Sequence, residues 1–123
     1  MNPLLIPQFH LLMNSRDIMI AMGSVPDTVF GIDAAGVVKR VGSLVTALHV
    51  GDRVALIQLG AMRTTLRIHE SIPQILPDYM SIEQGASLST VYVTAYQSLF
   101  EIAKLEKGES VLIHSAAGGE FYR

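Results

Sequence analysis

Residues 34–41 read Ala-Ala-Gly-Val-Val-Lys-Arg-Val. The run is rich in β-branched residues, holds Gly36 inside it and is followed by Gly42, which predicts a strand with one point of close backbone approach. Downstream, residues 50–57 predict a second strand with Gly51-Asp52 as its turn, and residues 64–69 alternate with period two, as a half-buried strand with one wet face does. Upstream, residues 15–22 carry Ile18, Met19 and Met22 at helical spacing and are closed by Gly23, so they predict a short helix with a glycine stop. Short strands joined by glycine turns predict a small, partly open β-barrel.

The pattern changes after Pro73 and Pro77. Ser81 and Gln84 have the capping-box spacing of a helix start. Val91, Ala95, Leu99 and Ile102 then fall on one stripe with Tyr92 and Tyr96 beside it, and Gly108 ends the unit. Residues 110–114 predict a buried strand, and residues 115–119, Ser-Ala-Ala-Gly-Gly, the glycine-rich turn after it. A strand running into such a turn is how a dinucleotide-binding unit opens. The expected fold class is therefore mainly β with α. A barrel portion over 1–80 precedes a helix and the first strand of an incomplete nucleotide-binding unit over 81–123.

A chain of 123 residues, 50% hydrophobic and 16% charged, supports one domain with a real core. The net charge is −2 and the nine Lys and Arg are scattered singly, so no basic face is expected for nucleic acid or anionic lipid. Without cysteine there is neither a disulfide nor a thiolate metal site, and His10, His49, His69 and His114 lack ligand spacing, so no metal is expected. The apolar start is interrupted by Pro3 and Pro7 and has no basic leader, which argues against a signal peptide or a membrane span. The expected setting is cytoplasmic.

Five motifs occur in order: Asn14-Ser-Arg-Asp17-Ile-Met, Gly31-Ile-Asp-Ala-Ala-Gly-Val-Val38, Val50-Gly-Asp-Arg-Val54, Thr94-Ala-Tyr96, and Gly108-Glu-Ser-Val-Leu-Ile-His-Ser-Ala-Ala-Gly-Gly119. In this order the chain resembles the enoyl reductase domain of polyketide synthases, most like the fungal highly reducing type, within the zinc-free medium-chain dehydrogenase/reductases. The resemblance implies a GroES-like barrel packed on a Rossmann domain, with NADPH between them. It also implies an acyl thioester on a carrier protein as the parent's substrate.

The resemblance carries Asn14 and Asp17 to the nicotinamide and substrate pocket, Thr94 to a hydroxyl facing the cofactor, and Ala117, Gly118 and Gly119 to the phosphate loop. Each has a plainer reading. Asn14 or Ser15 caps the helix with Asp17 suiting its positive first turn, and Thr94 bonds back to a carbonyl one turn earlier. These alternatives stay open here, and no catalytic residue is assigned. Met19 stands where the quinone reductases tend to have tyrosine, and Val25 where some bacterial enoyl reductases carry a tyrosine. Ile32 stands where the zinc signature Gly-His-Glu of alcohol dehydrogenases has its histidine.

Where the family's loop continues toward a third glycine and a helix, this chain has Glu120 and Phe121 and ends at Arg123. A carboxylate there opposes a phosphate site, which relies on backbone N–H groups that glycine leaves accessible. At the other end, Pro3, Pro7 and residues 9–13 depart from the family's opening strand, which is expected to be missing or replaced. The expectation is a truncated reductase piece, inactive alone, with apolar surface exposed and the strand at residues 111–113 unpaired at its edges. The rival is a binding or oligomerisation module that self-associates through that surface, with plain aggregation as the commoner outcome.

Overall fold

A computed structural model describes residues 3–6 and 9–114. The elements are β1 (Pro3–Ile6), β2 (Phe9–Leu12), α1 (Ser15–Ala21), β3 (Asp33–Val37), β4 (Arg40–Val41), β5 (Arg53–Ile57), β6 (Leu66–His69), β7 (Gln74–Ile75), α2 (Ile82–Ala86), α3 (Ser89–Tyr96) and a π-helical segment, Gln97–Ile102. They divide into two compact units, Met1–Ser89 and Thr90–Arg123.

In the first unit two antiparallel sheets form, with strand orders β4-β1-β6 and β2-β3-β5-β7. They leave the barrel open, as expected. The run at residues 34–41 is divided between them: β3 pairs with β2 and β5, while β4 pairs with β1. The change of sheet happens at Val38 and Lys39, whose N–H groups donate to Asp52 O at 2.9 Å and Leu5 O at 2.8 Å. One apolar run thus becomes two strands because its backbone groups find partners on different neighbours. Of the expectation that the opening strand is missing or replaced, the first alternative is overturned: β1 and β2 are both present, and each holds a place in one of the sheets.

The sheet geometry explains why β3 shows no polar alternation. Ala34, Val54 and Leu56 face the main core with Leu4, Ile6, Val38, Leu48, Ala61, Leu66 and Ile68. The intervening Ala35 and Ala55 pack with Leu76 and with Ala86 of α2, so both faces of the central strands are covered. Small residues on this second face let α2 approach closely. Gly85 belongs to the same fit, since a Cβ there would come within 2.5 Å of a Leu76 methyl. By contrast β6 has one wet face and alternates buried and exposed, as its sequence period indicates.

In the second unit Val91, Ala95 and Leu99 are the half-buried positions of the expected stripe, whereas Ile102 is 74% exposed. Residues 110–114 depart from expectation. They form no strand, and Val111, Leu112 and Ile113 are exposed. A strand exists by pairing, and among the described residues nothing pairs with this segment. The glycine turn at 115–119 lies outside the described residues.

Candidate functional site

The best-defined polar cluster lies where β2 hands over to α1. Leu12 is in register with Asp33, so the chain reaches Asn14 just past the start of β3. Asn14 adopts the extended N-cap conformation, φ −90° and ψ 161°, and α1 begins at the next residue. Its side-chain amide nitrogen donates to Asp33 Oδ2 at 2.9 Å.

Asp17 uses both oxygens. Oδ2 accepts the Asn14 backbone N–H at 3.0 Å, and Oδ1 accepts the Gly31 N–H at 2.8 Å. The first bond is the return half of a capping box and suits the helix dipole. The second crosses to the segment before β3. Asp17 is 2% and Asp33 0% exposed, so both carboxylates rely on these donors for the hydration they have lost.

Gly31 belongs to the cluster through its backbone. Its φ of +80° is one that glycine adopts freely, and a Cβ there would fall 2.5 Å from the Met62 backbone nitrogen. Its carbonyl accepts from Gly60 and Ala61, which ties the donor to Asp17 into the loop after β5. Arg16 closes the outer side, donating to Val29 O at 2.9 Å and pairing with Asp27. The Val29 and Thr28 N–H groups, and then the Arg16 charge, hold the Asp27 carboxyl below its ordinary value of 3.8.

The structure thus brings Asn14 and Asp17 together. Capping accounts for the Asp17 bond to the Asn14 backbone, while the Asn14 amide is turned to Asp33. Asp33 was not singled out in the sequence as a partner, although an acid embedded in an apolar strand is a signal that a donor must be found for it. Thr94 belongs to the second unit, on α3. There it lines a cleft of about 220 Å³ with Ser98, Leu99, Val111, Leu112 and His114. Ala117, Gly118 and Gly119 lie outside the described residues. Among the described residues the second unit also holds a larger cleft of about 410 Å³, lined by Tyr92, Val93, Tyr96, Gln97 and Glu101. The described residues contain no group of three His, Asp or Glu that could hold a metal ion.

Two open antiparallel sheets with α2 laid on the second have the architecture of a GroES-like domain. The profile of the alcohol dehydrogenase GroES-like domain matches residues 10–104, and the chain belongs to that family. Over 107 residues it is 49% identical to the highly reducing polyketide synthase dmxL2 of Cryptosporiopsis sp. (strain 8999), covering 87% of this chain and 4% of that protein. The reducing polyketide synthase FUB1 of Gibberella moniliformis is 45% identical over 107 residues, again 87% of this chain and 4% of that protein. Among solved structures, the CurK enoyl reductase superposes with a TM-score of 0.87 at 30% identity, over 98% of this chain and 40% of that one. The Escherichia coli quinone oxidoreductase complexed with NADPH gives 0.68 at 32% identity, over 80% of this chain and 32% of that one. The chain therefore spans a small part of each polyketide synthase and well under half of each reductase.

Proposed function

We propose that the chain is the GroES-like portion of an enoyl reductase in a reducing polyketide synthase. The parent would move a hydride from NADPH to the β-carbon of a carrier-bound α,β-unsaturated thioester, and a proton to the α-carbon. The observation that carries this reading is identity of 44–49% with reducing polyketide synthases over about six-sevenths of the chain, in the fold of an enoyl reductase. In this reading Asn14 and Asp17 of the first unit contribute to the wall of the substrate pocket, and Thr94 of the second unit is read by itself as a hydroxyl facing the cofactor. The buried bonds of Asp17 and Asp33 make that wall rigid, which is what positioning requires. Ala117, Gly118 and Gly119 correspond to the phosphate loop, and the Glu120-Phe121 pair after them opposes cofactor binding by this 123-residue chain.

The test is calorimetric titration of the purified chain with NADPH, together with absorbance at 340 nm in the presence of crotonyl-N-acetylcysteamine. We expect neither micromolar binding nor turnover. Either would refute inactivity and show that the site is completed in some other way. A second reading, association through an apolar face, is favoured by the exposed Tyr92, Val93, Tyr96 and Phe100 of the second unit. Gel filtration separates it from aggregation, since a defined oligomer supports it and an undefined high-mass species does not.

A further inference from the structure

Sequence scatters the lysines and arginines singly, but strand pairing gathers some of them. In the sheet of order β4-β1-β6, Leu5 stands opposite Arg40 on one side and Arg67 on the other. Directly opposed residues of antiparallel neighbours project to the same face. Burial identifies that face as the outer one: Leu4 and Ile6 are fully buried, Leu5 is half-buried, and Arg40 and Arg67 are exposed. His69 occupies the next outward position of β6, Lys39 immediately precedes β4, and the three strands contain no Asp or Glu.

Other arginines of the same unit have internal partners. Arg16 is held by Asp27 and the Val29 carbonyl, and Arg53 donates to the carbonyls of Asp78 and Met80. Among the described residues no hydrogen bond or ion pair engages the side chain of Arg40 or Arg67, whose backbones pair with β1. We propose that Arg40, Leu5 and Arg67 form a docking row for an acidic helix of a partner protein.

Spacing and chemistry select this occupant. Two strand intervals put the guanidinium-bearing positions roughly 10 Å apart. Carboxylates two turns apart along one helix face lie about 11 Å apart, with the residue one turn between them free to meet Leu5. Arginine forks receive carboxylates in a two-point geometry, and an apolar centre between charged ends is a common arrangement at protein interfaces. Two arginines on a chain of net charge −2 make too small a footprint for a nucleic acid or an anionic membrane, whose binding sums many phosphate contacts. The proposal does not rest on the reductase reading.

The competing explanation is protective. β4 and β6 are the edge strands of this sheet, and charges there discourage edge-to-edge pairing. For that purpose either sign serves, so charge reversal separates the two roles. The experiment titrates the chain with a fluorescent helical peptide carrying two glutamates two turns apart and a leucine between them, at low and physiological salt. We expect saturable, salt-sensitive binding that falls at least roughly tenfold in Arg40→Glu/Arg67→Glu and returns when the peptide's glutamates are replaced by lysines. The thermal midpoint should be unchanged. The proposal is overturned if the wild type does not bind the peptide, if the double variant binds it equally, or if a DNA duplex or phosphatidylserine vesicles bind more tightly. Should the double reversal fail to fold, Arg67→Gln carries the same comparison.

Discussion

Asp17 spends its two oxygens on two different backbone donors, Asn14 and Gly31, and it does so out of contact with water. Asparagine at this position keeps one acceptor and turns an NH₂ toward the other N–H. Asp17→Asn should therefore destabilise the chain by roughly 2–3 kcal/mol, as expected for loss of a bond to a buried charged group. Urea unfolding monitored by circular dichroism measures it, and a loss near zero would mean that water replaces the missing acceptor. Asp27 is a half-buried counterpart. Its carboxyl titrates below 3.8 because the Val29 and Thr28 N–H groups, and the Arg16 charge, favour the ionised form. A depressed folded-state pKa contributes stability above the unfolded value that disappears as the pH falls through the folded one. Asp27→Asn should thus flatten the decline of stability below about pH 4, which urea unfolding between pH 5 and pH 2 would register.

At the scale of elements, α2 is only five residues long and depends on its ends and on what it covers. Ser81 Oγ accepts the Gln84 N–H at 3.1 Å, and Gln84 Oε1 accepts the Ser81 N–H at 2.8 Å, so the box closes in both directions. Ser81→Ala should cost about 1 kcal/mol, the usual worth of an N-cap. The loss should also appear as faster amide hydrogen exchange confined to residues 82–86, with β1 and β6 unaffected. This element was legible in sequence because S-x-x-Q is a local signature whose partners lie three residues apart. The bond from the Asn14 amide to Asp33 was not, since it joins residues nineteen apart and depends on how β2 and β3 pair.

At the scale of the whole molecule, one apolar cluster unites the two sheets of the first unit, with Leu4 and Ile6 of β1 fully buried within it. Leu4→Ala should cost roughly 2–5 kcal/mol, the range for truncating a buried leucine where neighbours relax only partly. A loss under 1 kcal/mol in chemical unfolding would show that β1 is dispensable to the core.

The sequence by itself determined the helix start at Ser81, a first helix capped at Asn14 or Ser15, the alternation that the structure shows over residues 66–69, the mainly β class and the family. These depend on short-range stereochemistry and on motif order. Tertiary structure alone decided that residues 34–41 serve two sheets, that β1 and β2 occupy the opening positions, that Arg40 and Arg67 flank Leu5, and that residues 110–114 form no strand. The physical reason is shared by all four. A helix satisfies its backbone with neighbours along the chain, whereas a strand's hydrogen bonds and exposed face are set by whichever distant segment lies beside it.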